Sequence, residues 1–369
     1  MIPVTKPFLP SREKLDQYLD GIYERQWLTN NGQLVQELTR RLEEYLEVDN
    51  LLLVANGTLA LQIAYRALGV SDSRSDQHPE AITTPFSFIA TASSLKWDGI
   101  QPVFVDIDPK SWCLDPDRIG KAITDRTRAI VPVHVFGNAC EVEAIDTIAQ
   151  RYDLKVIYDA SHAFGVKYKG ESLLKHGDAA TLSFHATKLF HTGEGGAIVF
   201  KRKEDLERAK KMINFGITGP ETIEELGINA KMNEMQAAMG LCVLDEIADN
   251  MSARQHVWEF YKDNLTSKCQ FQQWNSNATQ NYAYVPMVLG SEDKTLSVVK
   301  GLGDINVGAR RYFYPSLDEV DFISTASGGV PNSRMISKKI ICLPIYSSIK
   351  DKDLSKIIST INGFDEVKG

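Results

Sequence analysis

Between about residues 50 and 200, short apolar runs rich in β-branched residues alternate with stretches of helical periodicity. Seven of these runs are predicted strands, at 51–54, 81–84, 102–106, 129–133, 155–159, 179–184 and 196–200. Helical stretches such as 58–68 and 142–152 separate them. Strands that are apolar on both faces and joined through helices form mostly parallel sheets with both faces covered. The alternation therefore predicts an α/β domain with a mostly parallel, seven-stranded sheet.

From about Met212 onwards this alternation stops. The later predicted elements are a long helical segment, a strand, a helix, a strand and a helix, at about 233–265, 283–289, 294–302, 338–343 and 350–361. We expect them to form a smaller α+β domain after a connecting helix. The predicted division is a large domain over residues 1–245, which includes the N-terminal segment, and a small C-terminal domain over residues 246–369.

Composition and charge exclude several classes of protein. The 369 residues, 43% of them hydrophobic, are enough for one large and one smaller domain. The net charge is −7 and no run of Lys or Arg stands out, so we expect no nucleic-acid partner. No stretch approaches the roughly 18 apolar residues of a membrane span, and the N-terminus lacks the apolar core of a signal peptide. The five cysteines form no CxxC pair, which indicates free thiols and a cytoplasmic protein.

Polar residues follow several of the predicted strands. In open α/β sheets ligands bind outside the carboxyl ends of the strands, so these residues form the candidate site. Gly57 and Thr58 stand where a glycine turn enters a helix, and the exposed amides and helix dipole there suit a phosphate. A capped helix start without a ligand is the alternative. Asp159 closes an apolar strand and could hold a heterocyclic nitrogen protonated, while His162 could bond a neighbouring oxygen. The alternatives are an Asp that caps the next element and a histidine that is satisfied within the core.

The strand at 179–184 leads into a tight loop that carries Lys188 and returns through a glycine-rich segment. A lysine amine becomes nucleophilic toward carbonyls when burial or neighbouring charge lowers its pKa, whereas most loop lysines are solvated. Ser183 ends the strand and offers a hydroxyl to an anion. Phe88, after another strand, could cover a ring or lie in the core. His185 and His191 have no cysteine or carboxylate at a ligand spacing, so no metal site is expected.

These residues fall in motifs that closely resemble one family. SFHATKLFHTGEGGA at 183–197, with DASHA at 159–163, is similar to the core of the fold type I sugar aminotransferases, the DegT/DnrJ/EryC1/StrS family. The likeness runs from Trp27 to Tyr346. It implies a fold type I enzyme that uses pyridoxal 5′-phosphate (PLP), with pyridoxamine 5′-phosphate as its intermediate form. It also implies a homodimer in which both subunits build each active site.

The resemblance implies a role for each candidate residue. Lys188 would bind PLP covalently and, once released, act as the base that moves a proton, and Asp159 would pair with the pyridine nitrogen. His162, where many members have Gln, would lie near the ring hydroxyl. The other cofactor contacts would be Gly57, Thr58 and Ser183 at the phosphate, Phe88 over the ring, and Asn229 at the phosphate of the neighbouring subunit.

The family implies L-glutamate as amino donor and a nucleotide-linked keto-sugar as acceptor. VTKPFLP at 4–10 and QWLTNNG at 26–32 look most like members that aminate dTDP-4-keto-6-deoxy-D-glucose at C4. The product would be dTDP-4-amino-4,6-dideoxy-D-glucose, a precursor of O-antigen and lipopolysaccharide sugars. The predicted sugar-nucleotide contacts are Thr29, Asn30, Asn31, His185, Arg310 and Tyr312. An arginine there could meet the diphosphate, because its planar fork suits phosphate oxygens, or it could be solvated at the surface. For Asn30 and Asn31 a polar turn is the alternative.

Other activities stay open. The same reaction could act on a C3-ketone or on the GDP-linked substrate of perosamine synthesis. A sugar 3-dehydratase of the same fold has His in place of the lysine, and Lys188 argues against it. A non-catalytic module that binds a sugar nucleotide and regulates a partner is opposed by the intact lysine, Asp and phosphate residues.

Overall fold

The computed structural model describes residues 1–72, 78–266, 269–323 and 329–366. Within these ranges no helix is long and apolar enough to cross a membrane. The strands are β1 (Leu51–Val54), β2 (Glu80–Thr83), β3 (Gln101–Phe104), β4 (Thr127–Val131), β5 (Lys155–Asp159), β6 (Lys167–Tyr168), β7 (Glu171–Ser172), β8 (Ala179–Ser183), β9 (Gly196–Phe200), β10 (Ile217–Gly219), β11 (Thr222–Ile223), β12 (Gln270–Phe271), β13 (Pro286–Val288) and β14 (Ile340–Cys342). The helices are α1 (Arg12–Arg25), α2 (Gln33–Leu46), α3 (Gly57–Ala67), α4 (Ile89–Trp97), α5 (Pro116–Ile119), α6 (Val142–Tyr152), α7 (Lys203–Met212), α8 (Glu234–Asp245), α9 (Ile247–Asn264), α10 (Glu292–Asp304), α11 (Pro331–Lys339) and α12 (Asp351–Glu366).

The large sheet has seven strands in the order β1-β9-β8-β5-β4-β2-β3. Neighbours from β8 through β5, β4 and β2 to β3 run parallel, whereas β9 is antiparallel to both β1 and β8. The other six strands therefore all end at one edge of the sheet, and β9 begins there. This confirms the predicted mostly parallel seven-stranded sheet, and the edge is where a ligand of such a sheet binds.

Side chains alternate along each strand and so divide the apolar residues between the two faces of the sheet. Leu52 and Val54 of β1 belong to a core that α3, α4 and α7 complete. Leu51 and Leu53 belong to the opposite core, which α2 and α8 complete. Every residue of β1 is buried, which explains why the sequence shows a continuous apolar run here rather than polar alternation.

Helix α2 is joined to the start of α8 through a buried carboxylate. Glu234, at the start of α8, is fully buried and accepts hydrogen bonds from the amides of Leu34 and Val35, at 3.0 and 2.9 Å. Gly32, the residue before α2, supplies no side-chain cap of its own. A Cβ at this glycine would lie 2.5 Å from Cδ of Glu234. The carboxylate thus neutralises the positive end of α2 and requires glycine beside it.

The C-terminal part of the chain has a core of its own. Strands β12, β13 and β14 form an antiparallel sheet. Its cluster of buried apolar residues includes Val257 of α9, Val298 of α10, Leu354 of α12 and Ile341 of β14. The predicted strands and the last two predicted helices are present in the predicted order, and the structure adds β12 and α11, which were not predicted. The division at 245/246 itself stays a prediction.

The predicted strand at 283–289 is observed only as Pro286–Val288, and that at 338–343 as Ile340–Cys342 because α11 extends to Lys339. The long helical segment predicted at 233–265 is observed as two helices separated by one residue. The chain leaves helical geometry at Glu246 (φ −112°, ψ 14°), so α8 ends at Asp245 and α9 starts at Ile247. Glu246 is neither proline nor glycine, and for that reason the sequence shows no break.

Candidate active site

A cleft of about 310 Å³ opens at the carboxyl ends of the large sheet. Seven of the eight predicted cofactor residues line it, namely Gly57, Thr58, Phe88, Asp159, His162, Ser183 and Lys188. Of the predicted sugar contacts, His185, Arg310 and Tyr312 line it as well. Residues that are far apart in the sequence therefore lie together at the ends of the strands.

The remaining predicted residues lie elsewhere in the subunit. Asn229 is solvent-exposed and does not line the cleft. Asn30 and Asn31 line a separate cavity of about 500 Å³ between α2, β1 and α7, and Thr29 precedes them on the surface. One subunit therefore does not bring these four residues to its own Lys188. Their proposed roles would require the cleft of a second subunit.

Lys188 lies in the loop between β8 and β9, and backbone hydrogen bonds join the two ends of this loop. The Phe184 and Ala186 amides donate to the carbonyl oxygens of Gly195 and Gly193, both at 2.8 Å. This fixes the chain leaving β8 and directs the lysine side chain into the cleft. Burial lowers the pKa of Lys188 to about 8, although the Asp159 carboxylate acts in the opposite direction. Near neutral pH a useful fraction of this amine is unprotonated and nucleophilic.

Asp159, at the end of β5, is 5% exposed and fully engaged by hydrogen bonds. Its Oδ2 accepts a 2.8 Å hydrogen bond from the hydroxyl of Thr91 on α4, and its Oδ1 accepts one of 3.1 Å from the Ser161 amide. The Thr91 hydroxyl in turn lies 2.8 Å from that of Ser87. These donors fix the orientation of the carboxylate toward the cleft.

His162 is held in one tautomer. Its Nδ1 accepts a 3.2 Å hydrogen bond from the Phe136 amide. Burial, with a contribution from Lys188, moves the pKa of His162 well below its usual value, so the ring is neutral. The proton is therefore on Nε2, which can donate. The ring lies nearly parallel to those of Phe136 and Phe313, at centroid distances of 6.1 and 5.8 Å.

The opposite end of the cleft is a cradle for an anion. Helix α3 begins at Gly57, after Asn56 caps it by accepting a 2.9 Å hydrogen bond from the Leu59 amide. A Cβ on Gly57 would lie 2.8 Å from Cβ of Ser183, so only glycine allows this approach. The Ser183 and Thr58 hydroxyls and the first amides of α3 meet here, beside the positive end of the helix.

The residues present fit PLP. The cofactor has a phosphate, an aldehyde, a ring hydroxyl and a ring nitrogen that must stay protonated. The cleft offers, in turn, the helix start with its hydroxyls, the Lys188 amine, the Nε2–H of His162 and the Asp159 carboxylate. Phe88, half-exposed on the same cleft, supplies an aromatic face.

The structure also shows residues that the sequence did not reveal. The Lys188 amine donates a 3.2 Å hydrogen bond to the Tyr284 hydroxyl, and Tyr284 lines the cleft. Thr91 binds Asp159, and Phe313 stacks beside His162. Tyr284 lies in the predicted strand at 283–289, and Thr91 lies in the first turn of α4, just after the strand end that carries Phe88. Nothing in the sequence alone distinguishes either from a structural residue.

A nucleophilic lysine, a hydrogen-bonded carboxylate and an anion cradle at this edge of this sheet define a class of protein, the PLP enzymes of fold type I. The chain belongs, more particularly, to the DegT/DnrJ/EryC1/StrS aminotransferase family, whose profile matches residues 11–362. It is therefore a PLP-dependent sugar aminotransferase, as the motifs predicted.

Individual relatives cover nearly the whole chain. It is 42% identical to dTDP-4-amino-4,6-dideoxy-D-glucose transaminase of Shigella dysenteriae, over 97% of each chain. It is 30% identical to GDP-perosamine synthase of Escherichia coli O157:H7, over 98% of each. The crystal structure of DesI in the presence of its TDP-sugar product is similar with a TM-score of 0.90 and 31% identity, over 97% of this chain and 91% of that one.

Proposed function

We propose that this enzyme transfers the amino group of L-glutamate to dTDP-4-keto-6-deoxy-D-glucose and yields dTDP-4-amino-4,6-dideoxy-D-glucose. The observation that carries the aminotransfer chemistry is the Lys188 amine, of lowered pKa, in one cleft with the hydrogen-bonded Asp159. The choice of sugar is supported by the transaminase 42% identical to this chain. The relation to a GDP-perosamine synthase favours, as second candidate, the same reaction on a GDP-linked keto-sugar.

We assign each step to a residue of the cleft. PLP, when bound, acts as the electron sink that weakens the Cα–H bond of the amino donor. Lys188 holds the cofactor and, once released, moves the proton to and from the substrate carbon. Asp159, held in place by its two hydrogen-bond donors, would pair with the protonated ring nitrogen. His162 donates from Nε2 to the ring oxygen.

The phosphate end is assigned to the start of α3. Gly57 and Thr58 contribute amides at the positive end of the helix, and Ser183 contributes a hydroxyl from the end of β8. Phe88, which lines the same cleft, would cover one face of the ring and exclude water from it.

Arg310 is the residue that we assign to the diphosphate of the sugar nucleotide. It is solvent-exposed on the rim of the cleft, its guanidinium lies 4.8 Å from the ring centroid of Tyr312, and it forms no ion pair within the described ranges. Arg311 beside it is engaged differently, by 2.7 and 2.8 Å contacts to Glu292 and to the Lys338 carbonyl. Of these two arginines, Arg310 is the one whose planar guanidinium is free to meet a substrate phosphate.

We further propose a homodimer with shared active sites. Around the hairpin β10–β11, large apolar side chains are exposed, namely Phe215, Ile217, Ile223, Leu226 and Ile228. Such a patch is typical of a protein interface. Asn229 follows it directly, so association through this face would carry Asn229 toward the partner's cofactor phosphate. In the same arrangement, Thr29, Asn30 and Asn31 would reach the partner's sugar site.

The proposed setting is the cytoplasmic synthesis of O-antigen and lipopolysaccharide sugars. All five cysteines are buried and free, as expected in a reducing compartment.

Purified holoenzyme incubated with L-glutamate and a panel of keto-sugar nucleotides tests the substrate. We expect the yellow cofactor absorbance to bleach with glutamate and to recover on addition of dTDP-4-keto-6-deoxy-D-glucose, with the 4-amino product identified by mass and NMR. Turnover of the GDP-linked sugar alone would overturn the choice of nucleotide and leave the aminotransfer intact. Failure to bleach with glutamate would overturn the proposed donor.

A further inference from the structure

We infer that Tyr284 is the positioning residue for the catalytic lysine, holding the Lys188 amine through its hydroxyl, and that helix α9 fixes the distance between the two. This inference rests on the proposed role of Lys188. The Nζ–Oη distance is 3.2 Å, and this is the one hydrogen bond of Nζ to any residue in the described ranges. Nζ lies 5.8 Å from the centroid of the Tyr284 ring, so the amine meets the hydroxyl rather than the aromatic face.

The Tyr284 ring is confined by other aromatic rings. His162 meets it edge-on at a centroid distance of 4.8 Å, Phe136 lies at 5.4 Å and Tyr312 at 6.2 Å. Tight packing on several sides leaves one position for the hydroxyl. A hydroxyl that cannot move fixes the amine that binds it, and a released lysine would otherwise sample several rotamers.

Helix α9 links the two backbone segments that carry the pair. Asn250 and Arg254 are 1% and 2% exposed and, being four residues apart, lie on the same face of α9. The side-chain Nδ2 of Asn250 donates a 2.9 Å hydrogen bond to the carbonyl of Leu189, the residue after Lys188. The Arg254 guanidinium donates at 3.3 Å to the carbonyl of Ala283, the residue before Tyr284. One turn of α9 thus fixes the distance between the segment that carries Lys188 and the segment that carries Tyr284.

The chemistry of the hydroxyl suits this role. Burial raises the pKa of Tyr284, with an opposing contribution from Arg254, so the phenol stays neutral. A neutral phenol oxygen can accept one N–H of either the ammonium or the free amine. The other titratable groups around Nζ are Asp159 from β5, His162 from the following loop and Tyr312 from the small domain. Tyr284 is the one among them that bonds Nζ directly.

The test compares Tyr284→Phe with Tyr282→Phe in the full-length protein. Tyr284→Phe removes the hydroxyl and keeps the ring. Tyr282→Phe is the matched control, because Tyr282 lies in the same segment but packs against Trp258 and lacks contact with Lys188. Thermal unfolding and near-ultraviolet circular dichroism of both apoproteins establish that the variants are folded.

The first readout needs no cofactor. Trace acetylation of the apoprotein across a pH series, with Lys188 followed by peptide mass spectrometry, gives the pKa of its amine. We expect a midpoint near 8 in the wild type. In Tyr284→Phe we expect it about 0.5 to 1 unit lower, because the ammonium loses its acceptor. Tyr282→Phe should match the wild type. An unchanged midpoint in folded Tyr284→Phe overturns the inference.

The second readout is the single-turnover reaction of holoenzyme with glutamate. We expect the first-order rate to fall by about ten- to a hundredfold in Tyr284→Phe, since the amine is no longer held in place. The apparent Kd for glutamate should stay within about twofold, because Tyr284 acts through Lys188. An unchanged rate overturns the inference. The role of Lys188 itself is tested separately, on the wild-type holoenzyme. If borohydride reduction leaves Lys188 unlabelled there, that role is overturned.

Discussion

The hydroxyl of Thr91 donates a 2.8 Å hydrogen bond to Oδ2 of Asp159, and both side chains are buried. Asp159 is the carboxylate that we assign to the cofactor nitrogen. The donors from Thr91 and from the Ser161 amide fix the direction of this carboxylate. We therefore propose that the Thr91 hydroxyl helps Asp159 to meet the ring nitrogen.

Replacement of Thr91 by Val should weaken the hold on PLP. Val preserves the branched shape and removes the donor to a charged acceptor, a contact worth about 1.5–3 kcal/mol. We expect the Kd for PLP to rise by at least about tenfold, measured by fluorescence quenching of the apoprotein. Thr91→Ser, which keeps the hydroxyl, should remain within about threefold of the wild type. Equal losses in both variants would assign Thr91 a packing role instead.

Lys188 should make cofactor capture pH-dependent. Its pKa is lowered from 10.5 to about 8, mainly by burial. The rate of PLP incorporation into the apoprotein should rise about tenfold per pH unit below 8 and level off above it, because only the free amine reacts. Absorbance spectroscopy follows this reaction. A rate that keeps rising toward pH 10 would contradict the lowered pKa.

The same lowered pKa of Lys188 predicts a trend in stability. A lysine whose folded pKa is lowered binds its proton more tightly in the unfolded chain, so stability increases as pH rises from about 8 to 10.5. Lys188→Met should lose that part of the increase in urea-unfolding experiments on the apoprotein. It should also abolish turnover. Turnover at the wild-type rate in this variant would remove Lys188 from the mechanism.

Arg310 should control the affinity for the sugar nucleotide and leave the glutamate reaction unchanged. Charge-assisted hydrogen bonds from a guanidinium to phosphate oxygens contribute about 1.5–3 kcal/mol. We expect Arg310→Ala to raise KM for the keto-sugar nucleotide by about 10- to 100-fold. Arg310→Lys should recover part of that loss, because it keeps the charge without the planar fork. Bleaching by glutamate serves as the internal control, and an equal loss there would refute the assignment.

The sequence could predict those parts of the molecule that continuous segments encode. The seven strands form apolar runs, and Lys188 and Asp159 each follow one of them, so their positions at the sheet edge could be predicted. Tyr284 could not, because it is 96 residues from Lys188 and contacts it only through tertiary packing. Thr91 is 68 residues from Asp159 and occupies an ordinary helical stretch.

Two further features depend on tertiary contacts. The break at Glu246 carries neither proline nor glycine, so periodicity alone predicted one helix there. Asn30 and Asn31 were expected near the sugar, yet within one subunit they line a different cavity from Lys188. The sequence of one subunit does not indicate which of its surfaces complete the active site of a second subunit.

Glu234 links the stability of the N-terminal region to the proposed sugar site. Its carboxylate accepts from the amides of Leu34 and Val35, and its own amide donates to the Leu28 carbonyl at 3.0 Å. It thereby anchors both ends of the segment that contains Thr29, Asn30 and Asn31. This segment is the one that we expect to reach the partner's sugar.

Glu234→Ala should therefore have two separable effects. Two amides at the start of α2 lose a buried, charged acceptor, and we expect the free energy of unfolding to fall by about 2–4 kcal/mol in urea titrations. Glu37→Ala, at an exposed ion pair of the same helix, should cost under about 1 kcal/mol. At a temperature where Glu234→Ala is folded, KM for the sugar nucleotide should rise while bleaching by glutamate keeps its rate. If the variant is destabilised but KM is unchanged, residues 29–31 do not contact the sugar, and Glu234 is only a cap for α2.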